Sequence, residues 1–170
     1  SIIGELAGDQ TGNAVSGGGD VNGDGIADIV IGAYRENSGG TSSGAVYVIF
    51  GSASPTASVN LDDVALGTGG FKIIGENPGD LLGKSVAIAD FNGDGIDDII
   101  VGATRNDPVS NNEGAVYVVF GLDNLSGTVD LDNVALGTGG IKISGQGLTE
   151  LSGHSIANAG DVNGDGLVDI

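Results

Sequence analysis

DVNGDGIADI at Asp20–Ile29 returns as DFNGDGIDDI at Asp90–Ile99 and as DVNGDGLVDI at Asp161–Ile170. Three copies in one chain make self-similarity the first signal to read. The repetition extends outward on both sides. GAVYVIFG at Gly44–Gly51 matches GAVYVVFG at Gly114–Gly121, and LDDVALGTGGFKI at Leu61–Ile73 matches LDNVALGTGGIKI at Leu131–Ile143, so the period is 70 residues. It slips by one before the middle loop, where KSVAIAD at Lys84–Asp90 stands against NAVSGGGD at Asn13–Asp20 and HSIANAGD at His154–Asp161. The missing residue predicts a β-bulge absent from the middle repeat.

Each repeat offers four strand candidates, rich in Val, Ile, Tyr and Phe and bounded by Gly, Asn, Asp or Pro. They are Ala14–Ser16, Ser85–Ala89 and Ser155–Ala157; Asp28–Gly32 and Asp98–Gly102; Ala45–Phe50 and Ala115–Phe120; and Phe71–Ile74 and Ile141–Ser144. Leu61–Leu66 and Leu131–Leu136 suit a single helical turn, too short for an independent helix. The third strand decides the architecture. Ala45, Tyr47 and Ile49 point one way and Val46, Val48 and Phe50 the other, so both faces need cover. A sheet with one wet face alternates with polar residues, whereas sheets stacked radially around an axis are covered twice. The expected fold is therefore all-β, with propeller blades of four antiparallel strands. Lys72 and Lys142 in the fourth strand suit an outer edge guarded by charge.

Ile2-Ile3-Gly4-Glu5 aligns with Ile73-Ile74-Gly75-Glu76, and Ile170 aligns with Ile29. The expected organisation is one repeat domain: residues 1–5 end a preceding blade, 6–76 and 77–146 are blades, and 147–170 start a further one. At a 70-residue period the 170 residues make about 2.4 repeats, which reads as a piece of a longer chain. Cut sheets expose unpaired backbone, so the isolated polypeptide is expected to associate.

The composition carries 23 acidic residues against 5 basic ones, a net charge of −18. Such a surface repels nucleic acid and anionic lipid and favours cations. Glycine is abundant, at 34 residues, yet 39% of the chain is apolar, which suits many short strands and tight turns rather than disorder. There is no cysteine, so neither a disulfide framework nor thiolate chemistry is available. No apolar run approaches the ~20 residues of a membrane span, and no signal peptide is visible. Asn124-Leu125-Ser126 is a formal glycosylation sequon, read as a chance match.

The aspartate loops follow D-x-N-x-D-G-x-x-D. Ca²⁺ is a hard cation that takes six to eight oxygens. Carboxylates at positions 1, 5 and 9 and an amide oxygen at position 3 supply side-chain ligands. The Gly at position 6 permits the turn that brings round the carbonyl of position 7. The candidate ligands are Asp20, Asn22, Asp24, the Ile26 carbonyl and Asp28 in the first loop. In the second they are Asp90, Asn92, Asp94, the Ile96 carbonyl and Asp98, and in the third Asp161, Asn163, Asp165, the Leu167 carbonyl and Asp169. One calcium per loop is expected, and Asp97 adds a further carboxylate beside the middle one. Helix–loop–helix calcium sites need an acidic residue at position 12, where Ile31 and Val101 stand here.

These residues resemble FG-GAP repeats, the blades of integrin α-subunit propellers and of many large bacterial surface proteins. That pattern runs from Phe-Gly, through a Ser-Val-Ala strand and the aspartate loop, to Gly-Ala-Pro. Gly12, Gly83 and Gly153 stand at the Gly of Phe-Gly, with Thr11, Leu82 and Ser152 in place of Phe. Gly32-Ala33 and Gly102-Ala103 match Gly-Ala-Pro, with Tyr34 and Thr104 in place of Pro. The resemblance covers essentially the whole chain. It implies a seven-bladed propeller with calcium in the loop between the first and second strands of a blade.

No catalytic constellation emerges, and the chain is read as not an enzyme. His154, the single histidine, has Asn13 and Lys84 as its repeat counterparts, which marks a variable exposed position. Arg35 and Arg105 recur after the second strand and are expected to pair with a nearby loop carboxylate. The functional expectation is a calcium-binding propeller module for adhesion or structural interaction, extracellular or on the cell surface. Its partner is a protein or glycan, other blades of the same longer chain, or another copy. The alternatives are a carbohydrate-binding or polysaccharide-degrading platform, and a self-assembling surface-layer or filament subunit.

Overall fold

The computed structural model describes residues 1–106, 112–123, 126–147 and 149–170. Residues 124 and 125 of the glycosylation sequon lie outside them. The fold is all-β, a partial propeller of two successive four-stranded antiparallel blades with no closed ring. The first blade orders β2 (Ala14–Gly17), β3 (Ile29–Ala33), β4 (Ala45–Ile49) and β6 (Gly70–Ile74) side by side. The second orders β7 (Leu82–Ala89), β8 (Asp98–Ala103), β9 (Ala115–Val119) and β11 (Gly140–Ser144) in the same way. Two five-residue helices, α1 (Leu61–Ala65) and α2 (Leu131–Ala135), precede the fourth strand of each blade. Asn60 and Asp130 cap their first turns through side-chain oxygens.

The apolar residues on both faces of the third strands are covered as the sequence requires. Val30, Val46, Val48, Phe71 and Ile73 of the first blade pack against Val86, Ile88, Ile99, Val101, Tyr117 and Val119 of the second. Leu131 and Val134 of α2 enter this same interface. On the far side of the first blade, α1 plays the matching part, with Leu61 and Val64 packed on Ile31, Tyr47 and Ile49. Each helix therefore fills the face that its blade turns toward the preceding blade.

One device is absent from the sequence reading, which found four strands per repeat. The residues just before each helix form a fifth strand that joins the preceding blade. In the second repeat this is β10 (Gly127–Asp130), running parallel to β6 from Gly127↔Phe71 to Asp130↔Ile74. In the first, β5 (Val59–Asn60) pairs in parallel with β1 (Ile2–Ile3), the counterpart of the end of β6. The fourth strand of the first blade is thus not an outer edge, and Lys72 does not guard one. Its side chain is buried and ion-paired, and it stands between two strands.

The expected strand at Ser155–Ala157 does not form. In both complete blades this strand pairs with the one after the aspartate loop, of which Ile170 is the single residue present here. The one-residue slip has a clear structural form. In the first repeat Gly18 N–H donates to Asp28 O and Asp28 N–H to Gly19 O, so two residues face one. Ala159, Gly160 and Asp169 repeat this arrangement, whereas Ala89 pairs directly with Asp98 in the middle repeat. The middle strand carries its own irregularity further back, between Leu82 and Val86.

The blades meet through glycine. A Cβ on Gly32 of β3 would stand 2.0 Å from the Gly83 carbonyl oxygen of β7, and one on Gly102 would stand 2.0 Å from that of Gly153. Only a residue without a side chain lets these backbones approach so closely.

Candidate metal centres

Each aspartate loop closes on itself by one scheme. Asp20 accepts from Asp24 N–H (3.1 Å) and Gly25 N–H (2.7 Å). Asn22 Oδ1 accepts from Asp24 N–H at 3.1 Å, and Asp24 Oδ1 from Ile26 N–H at 2.8 Å. The second loop repeats these bonds through Asp90, Asn92 and Asp94, and the third through Asp161, Asn163 and Asp165. The turn requires left-handed backbone at positions 4 and 6. Glycine occupies both in every loop, with φ of +73° and +83° at Gly23 and Gly25.

Position 9 has a different task. Asp28 is almost fully buried at the start of the second strand. Its Oδ2 accepts from Val21 N–H at 2.8 Å, and its Oδ1 accepts from Gly51 N–H, just past β4, at 2.7 Å. It braces the loop to the end of the third strand. Asp98 does the same through Phe91 and Gly121. In the third loop Asp169 holds Val162 N–H at 2.8 Å. Burial pushes the carboxyls of Asp28 and Asp98 above the usual aspartate range, with the loop's other aspartates adding to the rise and the backbone N–H bonds opposing it.

The structure thus brings positions 1, 3 and 5 of each loop together around one turn and sets position 9 at its base. It does not draw the carboxylates to a point. Among the described residues no three His, Cys, Asp or Glu side chains gather as a closed metal cluster. The donor set still fits a hard divalent cation, because it is all oxygen and its carboxylates have no cationic partner among the described residues. The ion pairs among the described residues belong to Lys72 and Lys142. Asp20, Asn22, Asp24, the Ile26 carbonyl and Asp28, with their counterparts in the other two loops, are the residues that would hold calcium.

Asp97 does not join the middle loop's own cavity. Its Oδ2 accepts from Asp20 N–H at 2.8 Å, and its N–H donates to Asp20 O at 3.0 Å. The middle loop is therefore bonded to the first through the residue that opens the first loop. Ala27 and Val168 stand at the same position in the other repeats, so this carboxylate link is confined to one junction.

The lysines build a second constellation, which the sequence reading missed. Lys72 Nζ donates to Glu5 (2.7 Å), Glu36 (3.1 Å) and Ser38 Oγ (2.9 Å), and Tyr47 OH also donates to Glu5. In the second repeat Lys142 donates to Glu76 at 2.6 Å, and Tyr117 OH joins the same carboxylate. Glu5 and Glu76 occupy equivalent places just after β1 and β6, so each ties the incoming chain to the next blade. The signal was present in the repeated Glu of IIGE and Lys of GFKI and GIKI, but only the fold places them together. Among the described residues neither Arg35 nor Arg105 forms the expected ion pair, and the Arg35 guanidinium lies 5.5 Å from the Tyr34 ring centre. His154 is exposed, as its variability suggests.

Residues 11–49 and 82–119 match the family described as FG-GAP repeat. The third aspartate loop lies outside those stretches. Phosphatidylinositol-glycan-specific phospholipase D of Bos taurus is 38% identical over 110 residues, covering 60% of this chain and 12% of that protein. The Homo sapiens protein of the same name is 37% identical over 105 residues, with the same coverage. Integrin alpha-4 of Xenopus laevis is 32% identical over 101 residues, covering 59% of this chain and 9% of that protein. The chain spans only about a tenth of the length of these relatives.

Proposed function

We propose, from the premise that this chain is built on FG-GAP repeats, that it is a non-catalytic, calcium-binding propeller module for adhesion or structural interaction outside the cell. The observation that carries this reading is the loop repeated three times, with its oxygen-only donors and carboxylates that no lysine or arginine pairs with among the described residues. Calcium bound there supplies the missing positive charge and cross-links the loop. The chain's own residues do the rest: Asp28 and Asp98 anchor each loop to its blade, and Asp97 joins the first loop to the second.

The relatives support a platform rather than a reaction. One name is that of a phospholipase and another that of an integrin, yet both share these repeats. A module common to both is more readily a scaffold than the seat of one chemistry. Among the described residues no helix is long and apolar enough to cross a membrane. The first partners this reading implies are further blades. β11 offers the edge to which, one repeat earlier, β10 adds in parallel. A protein or glycan ligand outside the propeller is the second.

Thermal melting in calcium, in chelator and in magnesium tests the reading. Ion binding to the folded state alone stabilises by about 2.7 kcal/mol per site at a hundredfold excess over Kd. The melting temperature should rise in millimolar calcium and less in magnesium, which prefers a tighter octahedral site. One melting temperature in all three buffers would falsify a structural role for the loops.

A further inference from the structure

The two lysine constellations are built alike, but one residue differs. In the second repeat the connection after β8 carries Asn106. Its Nδ2 donates to Asp80 Oδ2 at 2.7 Å and to Glu76 at 3.3 Å. Asp80 also accepts from Asn77 N–H at 3.0 Å, so its carboxylate is well provided with donors. In the first repeat Asp9 takes the place of Asp80. The backbone proves the equivalence: Arg35 N–H donates to Asp9 O at 3.2 Å as Arg105 N–H donates to Asp80 O at 3.1 Å. The residue in the place of Asn106 is Glu36, which has no proton to give when ionised.

The consequence is visible at Asp9. Its side chain is 3% exposed, and its Oδ2 has no hydrogen-bond partner. An orphaned carboxylate oxygen in the interior is costly, and the nearby negative charge of Glu36 makes it more so. Glu36 is already committed as the ionised member. Its Oε1 accepts from Ser38 Oγ and Lys72 Nζ, and its Oε2 from Ser38 N–H. That leaves a lone pair free on Oε2. The other charged and titratable groups around Asp9 are Glu5 from the incoming segment, Lys72 from β6 and the Tyr47 phenol from β4. Lys72 spends its three donors on Glu5, Glu36 and Ser38, so it has none for Asp9.

We infer that Asp9 and Glu36 form a proton-binding latch on the segment entering the first blade: with the proton bound, Asp9 is the neutral acid and its Oδ2–H is donated to Glu36. The proton comes from solvent and does for Asp9 what the Asn106 amide does for Asp80. The second repeat needs no such proton. The inference stands on these side chains alone and is independent of calcium.

Burial first, and then Glu36, push the Asp9 carboxyl above the ordinary aspartate value of 3.8, while burial of Glu36 is outweighed by Ser38 and Lys72 and its carboxyl is lowered. The sign follows for Asp9. Its folded form binds the proton more tightly than the unfolded chain, so its contribution to stability falls as pH rises through the raised value and recovers below it. Asp9→Asn puts a permanent donor at the same position. At neutral pH this variant should melt at or above the temperature of the native chain. The native chain should approach it as the pH falls toward the ordinary aspartate value.

A carbon-13 carboxyl titration of the native chain tests the inference without any variant. Asp9 should titrate above the ordinary aspartate range and Glu36 below the ordinary glutamate range. An Asp9 midpoint at or below 3.8 would overturn the latch, as would an Asp9→Asn chain that melts lower than native throughout with the same dependence on pH.

Discussion

Gly102→Ala perturbs the contact between blades directly. A methyl at this position would lie 2.0 Å from the Gly153 carbonyl oxygen and 2.5 Å from Ser85 Oγ, which itself donates to that carbonyl at 2.6 Å. Real Cβ contacts essentially never fall below 3.0 Å, so the two backbones must separate by about 1 Å or more. The obstacle is a backbone carbonyl, which cannot rotate aside as a side chain would. Overpacking typically costs about 1–3 kcal/mol, and a rigid obstacle places this case near ~3 kcal/mol. With a urea slope of about 1–3 kcal/mol per molar, the unfolding midpoint should drop by roughly 1–3 M. Gly137→Ala is the comparator. It has φ of +84° and open space around it, so it bears only the left-handed backbone penalty of ~1–2 kcal/mol. Urea unfolding of both variants decides the matter. If Gly102→Ala is no more harmful than Gly137→Ala, the two backbones are not in contact as described.

Two further outcomes follow from named contacts. Asp97→Ala removes the carboxylate that holds the Asp20 amide, so hydrogen exchange at that amide should accelerate while the third loop is unchanged; unaltered protection at Asp20 contradicts the link between loops. Glu76 is half-buried, which alone would raise its carboxyl, but Lys142 and Tyr117 reverse this and lower it below the ordinary 4.5. Its stabilisation is therefore present above that value and lost as the pH falls through the lowered one. Glu76→Gln should be less stable than the native chain at neutral pH and should flatten the loss below about pH 4.5, measured as melting temperature against pH; a parallel native and variant profile argues against the tie.

Much of this was legible because repetition multiplies weak signals. GAVYVIFG and GAVYVVFG mark the third strands by themselves, and their two apolar faces require cover on both sides. The aspartate loops announce their turns through Gly23 and Gly25, whose left-handed backbone the pattern demands. The fifth strand was not legible. Val59-Asn60 and Gly127–Asp130 are short and polar, and their pairing to the preceding blade is non-local. Lys72 misled for a related reason: charge in a strand usually means an edge, but here an added strand and two glutamates enclose it. The Asp97 bond to Asp20 spans 77 residues, and no local pattern carries it.

Equilibrium dialysis against radioactive calcium tests most directly the proposal that the aspartate loops hold calcium. Extracellular sites commonly have Kd values near 10⁻⁴–10⁻³ M, so binding should saturate at millimolar free ion and approach one calcium per loop. Asp24→Ala should lower the total by one site and leave the third loop's calcium in place, since repeats couple mainly to their neighbours. A chain that retains no calcium above the buffer level at about 10 mM, well beyond that Kd range, contradicts the account.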